Sequence, residues 1–245
     1  MGRPDYWGVA GYPISHSLTP RLFEIVGEKL GFEDVRAVFL EAESFDDFMD
    51  KASDLEGDIW ISCTTPLKNS IWEGLGIEVE DGLDSVNQVV RSNGEWKGAN
   101  TDGDGFVDSC RHIGIDPNMS TLRIRGGGSA ARSIAVAWAG AEGDISMVSG
   151  RRKLVDGPWS DSITERREAD IATDLDALPG GGESVDLGAD RQVSISYAEG
   201  AGIEEFAVIM VAAQHLEAWR TLFAPEMSAE LPSLPALLDL LRKER

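Results

Sequence analysis

The chain has 245 residues, and 42% of them are hydrophobic, which supports packed cores and excludes a disordered chain. That length suits one large domain or two smaller ones. Its 43 Asp and Glu against 22 Lys and Arg give a net charge of -21, which excludes nucleic acid and anionic membrane surfaces as partners.

The first hundred residues alternate short apolar runs with helical patterns. "YWGVAG" reads as a strand. "TPRLFEIVGEKLG" reads as a helix with Thr19 at the N-cap, Pro20 at its first position and Gly31 at its end. "VRAVFLEA" is a second strand, "SFDDFMDKAS" a short helix capped by Ser44, "DIWISC" a third strand and "LKNSIWEGL" a helix. "SVNQVVRSNGEWKGANTD" reads as a hairpin turning at Ser92-Asn93-Gly94. "DGFVDSCRHIG" is a helix ending at Gly114. Strands alternating with helices predict an α/β fold with a mostly parallel sheet.

A second unit follows. "TLRIRGGGSAARSIAVAWAGAEGDISMVSGRR" reads as strand, glycine turn, helix and strand. Gly126, Gly128 and Ala131 fit G-x-G-x-x-A, with Ser129 and Ala130 opening the helix. The first glycine permits a tight turn, the second lets backbone approach a pyrophosphate, and the small third residue lets helix and strand pack closely. The helix N-terminus offers N–H groups to phosphate oxygens. After the second strand comes Arg151-Arg152-Lys153 in place of the acid that favours NAD. These cations are either a solvated loop or a grip for the 2′-phosphate of NADP. Downstream, "PGGGESVDLGAD" reads as an acidic loop, "QVSISY" as a strand, "IEEFAVIMVAAQHLEAWRTLF" as a long apolar helix and "LPSLPALLDLLRKER" as a last helix.

Single residues are less decisive. Lys68, just past the third strand, is either a solvated charge or a catalytic amine at the mouth of a cleft. Cys63 and Cys110 lack paired spacing and read as reduced thiols of a cytoplasmic protein. His16, His112 and His215 have no metal-ligand spacing, so no metal is expected. No apolar run has the length of a membrane span or a signal core.

Five segments in order resemble the shikimate dehydrogenase family: "GYPISHSLTP", "SCTTPLK", "SVNQV" with "GANTDGDGF", "GGGSAAR" with "SGRR", and "MVAAQHLEAW". The resemblance implies two domains with a cleft between them. One is an α/β substrate-binding domain over 1–103, with helices of 213–245 packing back on it; the other is a Rossmann-like NADP domain over 104–212. It implies reversible reduction of 3-dehydroshikimate to shikimate with NADP as cofactor. The alternatives are a quinate/shikimate dehydrogenase of broader specificity and a catalytically impaired shikimate-binding homologue. Lys68 and Asp102 would be the catalytic pair. Ser17, Thr19 and Tyr197 would hold the substrate carboxylate, and Thr64, Asn87 and Gln214 its ring hydroxyls. The cofactor would rest on Gly126, Gly128, Ser129, Ala130, Ala131, Arg151 and Arg152. A monomer or homodimer with only small-molecule partners is implied.

Each role has a plainer reading. Thr19 suits a helix cap, Asn87 a turn, and Asp102 the start of the helix that follows it. The pattern also breaks late in the chain. The family's asparagine-threonine segment is missing, and "SVDLGAD" stands as the remnant of its strand. The loop from Asp190 to Tyr197 is short, Ala207 replaces a glycine, and Ser62 stands where the family often has asparagine. A cofactor domain truncated in its second half is therefore expected.

Overall fold

The computed structural model describes residues 2–177 and 184–243. The chain divides into one unit of Met1–Glu80, Asp84–Thr101 and His215–Arg245, and another of Asp81–Leu83 and Asp102–Gln214.

In the first unit, β1 (Tyr6–Gly11), β2 (Arg36–Glu41), β3 (Ile59–Cys63), β4 (Gln88–Ser92) and β5 (Glu95–Ala99) form a sheet in the order β2-β1-β3-β4-β5. β1 is parallel to β2 and β3, β4 is antiparallel to β3, and β5 is antiparallel to β4. Only β4 therefore runs against the rest, as the hairpin reading requires. Its turn has Asn93 at φ 52° and Gly94 at φ 82°, the left-handed pair of a type I′ turn.

The sequence of β3 shows why this sheet is covered on both faces. Ile59, Ile61 and Cys63 share a core with Phe48, Leu67 and Ile71. That side is built by α2 (Phe45–Ser53), a 3₁₀ turn at Leu67–Asn69 and α3 (Ile71–Leu75). Successive strand residues face opposite ways, so Trp60 goes to the other face. There its ring centroid lies 5.2 Å from that of Trp219 and 5.3 Å from that of Phe223. This aromatic core takes Phe23 from α1 (Thr19–Lys29), stacked on Trp7 of β1 at 5.6 Å. Trp219 and Phe223 come from a π-helical turn that continues α6 (Phe206–Ala218). α7 (Leu234–Lys243) packs along α1.

Two local readings change. Thr19 is not the cap of α1: Leu18 holds that position without a side-chain bond, and Ser17 Oγ accepts the Thr19 N–H at 3.3 Å. The helix expected from Leu67 to Leu75 is split at Ser70, because the Lys68 carbonyl accepts the N–H of Val86 at 3.0 Å instead of extending a helical ladder. Ser44 does cap α2, accepting the Asp47 N–H at 3.2 Å.

The second unit has a four-stranded parallel sheet, β7-β6-β8-β9, from β6 (Thr121–Arg125), β7 (Asp144–Val148), β8 (Ile171–Asp174) and β9 (Arg191–Val193). α4 (Asp102–His112) and α5 (Ser129–Gly140) supply Phe106, Ile134 and Trp138 to its core. The strand after β7 is Ile171–Asp174, not the "SVDLGAD" segment. Those four residues are buried throughout and pair with β6 from Leu122↔Ile171 to Arg125↔Asp174. Ser184–Asp190 carries no strand, and residues 179–183 of the expected acidic loop lie outside the described residues. The last strand stops at Val193, short of Tyr197, because Ser194 Oγ accepts the Ser196 N–H at 3.1 Å and turns the chain. Among the described residues no α-helix separates β7 from β8; the buried Trp159 fills the core there.

Candidate active site

The lysine turn lies at the C-terminal end of β3. Its backbone is tied to the segment after β1: Thr64 N–H donates to the Ala10 carbonyl and Tyr12 N–H to the Thr65 carbonyl, both at 2.9 Å. Gly11, at φ 142°, allows this approach, since a Cβ there would lie 2.5 Å from Thr64 Cγ2. The bonds bring the Ser17–Thr19 loop and the Thr64–Lys68 turn onto the same end of the sheet. Thr19 is buried, while Ser17, Thr64 and Lys68 are half-buried. Burial pushes the Cys63 thiol up, and the neighbouring Lys68 charge only partly opposes it.

The Val86–Lys68 backbone bond sets Asn87 beside this turn. Asn87 is fully buried, and its Oδ1 accepts the Thr101 N–H at 2.8 Å while Nδ2 donates to Thr101 Oγ1 at 3.2 Å. Ser62, which departs from the asparagine often found in the family it resembles, donates to Gln88 Oε1 at 2.6 Å within the same buried polar cluster. Thr101 and Gln88, which orient Asn87 and close the cluster, were not singled out from sequence. Their signal was the motifs that contain them, "GANTD" for Thr101 and "SVNQV" for Gln88, and both side chains are buried.

Asp102 directly follows Thr101 and opens the second unit as the buried first residue of α4. The next N–H, of Gly103, donates to Ser133 Oγ on α5 at 2.8 Å. Gln214 closes this unit within α6, half-buried like Tyr197. The structure therefore groups Ser17, Thr19, Thr64, Lys68 and Asn87 in one unit and Asp102, Tyr197 and Gln214 in the other.

The glycine turn joins β6 to α5. Gly126 has φ 111°, a conformation that side chains rarely adopt, and Gly128 is the N-cap of α5. Space over Gly128 is open: the nearest atom to a Cβ built there is Arg152 Nη1, at 4.0 Å. Ala131 is fully buried where the helix meets the sheet. Ser129 and Ala130 supply first-turn N–H groups that have no partner within a helix. Arg151, Arg152 and Lys153 are all exposed beside the turn. An open helix N-terminus flanked by cations fits a phosphorylated dinucleotide.

A parallel sheet opened by such a turn, joined to a second α/β unit carrying a lysine turn, defines the class of two-unit α/β proteins with a dinucleotide-type motif. No protein-family profile matches the chain. In sequence it is related to shikimate dehydrogenases (NADP⁺): it is 36% identical to that of Alkaliphilus metalliredigens over 134 residues, 53% of this chain and 46% of the relative. It is 34% identical over 150 residues to that of Caldanaerobacter subterraneus, 60% and 53% of the two chains. The chain thus spans about half the length of the curated relatives it matches. Its fold is that of the shikimate dehydrogenases. A crystal structure of the Thermus thermophilus shikimate 5-dehydrogenase with NADP(H) and shikimate superposes with a TM-score of 0.75 at 19% identity, covering 98% of this chain and 99% of that one. A 5-ketofructose reductase of Gluconobacter also superposes, with a TM-score of 0.66 at 16% identity and full coverage of both chains.

Proposed function

We propose that the protein is an NADP-dependent shikimate dehydrogenase, reversibly reducing 3-dehydroshikimate to shikimate in aromatic amino acid biosynthesis, in the cytoplasm. Among the described residues no helix is long and apolar enough to cross a membrane. The observation that carries this reading is the lysine turn. Backbone bonds join it to Ala10 and Tyr12, which precede the Ser17–Thr19 loop, and to Val86, which precedes Asn87, and Asn87 is oriented by the residue immediately before Asp102.

In this reading Ser17, Thr19 and Tyr197 bind the substrate carboxylate, and Thr64, Asn87 and Gln214 bind ring hydroxyls. Asn87 Oδ1 accepts the Thr101 N–H and Nδ2 donates to Thr101 Oγ1, so the amide is held in the orientation it would offer a ring hydroxyl. The glycine turn and its cations hold the dinucleotide, whose reduced form supplies a hydride to the carbonyl carbon. Negative charge then grows on the ketone oxygen. The Lys68 ammonium stabilises it and gives it a proton, and water restores that proton before the next turnover. Asp102 orients the amine and balances its charge. The 1–103 and 104–212 division of labour between substrate and cofactor belongs to the same proposal.

Arg151→Ala is expected to weaken NADP by about tenfold and NAD by far less, because only NADP carries a phosphate for the guanidinium. Calorimetric titration with each dinucleotide checks this, and equal losses would remove Arg151 from 2′-phosphate reading. The function itself is tested by absorbance of the reduced cofactor in mixtures of NADP with shikimate, quinate or, as a keto-sugar control, NADPH with 5-ketofructose. Turnover with shikimate is expected, and turnover with 5-ketofructose alone would overturn the reading.

The three-residue β9 and the short path from Asp190 to Tyr197 favour a second reading, a shikimate binder with impaired turnover. It leaves little chain to wall the nicotinamide, so hydride transfer would lose its near-attack geometry. Shikimate binding by calorimetry without any cofactor reduction would select it.

A further inference from the structure

We propose that Asp176 is the residue that positions Arg151 for the 2′-phosphate of the cofactor, an inference that rests on the NADP reading above. Asp176 lies just beyond β8, the strand that sequence reading missed, and nothing in its own neighbourhood of the chain points to the cation loop.

The geometry does. Asp176 Oδ2 accepts the main-chain N–H of Arg151. The Arg151 guanidinium returns to the same residue twice: Nη2 donates to the Asp176 carbonyl at 3.0 Å, and Nε lies 4.0 Å from Oδ1. The Asp176 side chain is 7% exposed and that of Arg151 is 69% exposed, so an inner acid holds an outer cation. The carboxylate reaches this place between two glycines. A Cβ on Gly150 would lie 2.0 Å from Oδ2, and one on Gly126 would lie 3.2 Å from Oδ1. Gly150 is therefore needed for the acid to enter, and the acid borders the glycine turn itself.

Asp176 is in turn fixed from behind. Its N–H donates to Asp174 Oδ1 at 3.1 Å, and that carboxylate pairs with Arg125 at 2.9 Å with its side chain 1% exposed. A chain of contacts thus runs from the ends of β6 and β8 out to the cation loop: Arg125, the two acids Asp174 and Asp176, and Arg151. An exposed arginine loses much side-chain freedom when it grips a phosphate. One already tied at its main chain and guanidinium loses less, and binds more tightly for that reason. The carboxylate lies behind the guanidinium, 7% exposed against 69%, so its repulsion of an incoming anion is weaker than the gain from holding the arginine in place.

The test is calorimetric titration of NADP and NAD into the wild type, Asp176→Asn, Arg151→Ala and the double variant. Asparagine keeps an acceptor for the Arg151 N–H and removes the charge. Asp176→Asn is expected to lose about tenfold in NADP affinity with NAD nearly unchanged, and the double variant to be no worse than Arg151→Ala alone. NAD binding reports that the turn remains folded; Asp176→Ser gives the same comparison should the asparagine variant not fold. An unchanged or increased NADP preference in Asp176→Asn, or fully additive losses, overturns the inference and leaves the NADP reading standing. A wild type that does not prefer NADP overturns both.

Discussion

Lys68→Ala is expected to lower kcat by about 10²–10⁴-fold while KM changes by only a few-fold. Lys68 is proposed to act where charge develops on the ketone oxygen, and a group whose bond strengthens in the transition state is read mainly in kcat. The site has little to replace it. Its neighbours on the lysine turn are Leu67, which is fully buried, and Asn69, which carries no charge. Lys68→Arg separates the two duties of the amine. It keeps a positive charge yet gives up its proton poorly, so it should bind substrate and remain slow. Steady-state kinetics of both variants with shikimate and NADP provide the check. A near-normal kcat in Lys68→Ala would remove the lysine from the mechanism.

Acid should destabilise the first unit through His215, beginning well above the range where carboxylates titrate. The imidazole sits in the aromatic core, its centroid 4.5 Å from that of Phe23, and its Nε2 accepts the Trp219 indole N–H at 2.9 Å. Burial pushes its pKa from 6.5 down to about 3, with the Leu22 backbone pulling weakly the other way. The folded state therefore keeps this ring neutral while the unfolded chain takes up a proton below about pH 6.5. Between those two values the unfolded state binds more protons, so stability falls as pH falls. From pH 7 to pH 5 the loss from this one group is about 2 kcal/mol, and it is complete near pH 3. Urea unfolding followed by tryptophan fluorescence at both pH values checks it, because Trp7, Trp60 and Trp219 lie in the same core. His215→Gln should lose most of that pH dependence, whatever its stability at pH 7. An equal pH dependence in the two proteins would show that the ring does not stay neutral in the folded state.

Much of the fold was legible because its signals are local. The alternation in "DIWISC" puts one set of side chains on each face of β3, and the Asn93-Gly94 pair matches the turn its hairpin needs. Ser44 caps α2 from three residues away. The glycine turn and Lys68 stand out for the same reason: each is a departure from its immediate surroundings, glycines after a strand or one cation past a strand end.

Thr19 shows where local reading stops. Its type and its place before Pro20 suit a cap, yet the cap is one residue earlier, at Leu18, and Thr19 is the buried first residue of the helix. The "IATD" strand stops it again. Four residues between charged segments carry too little pattern to be seen, and they become a strand only because β6 and β9 flank them. With that strand found, the second unit does not lack a strand after β7; it has β8, which ends in Asp174 with Asp176 two residues on.

The amino-acid sequence by itself determined the order of strands in the first unit, the βαβ glycine turn, and the short motifs that hold the candidate lysine, asparagine and aspartate. Each depends on contacts within a few residues. The tertiary structure alone decided which of those residues have their polar groups already committed. Asn87 meets Thr101 across 14 positions, and Arg151 meets Asp176 across 25. No local pattern encodes such pairs, because the free energy of each bond depends on backbone that other strands bring together and on the burial that excludes competing water.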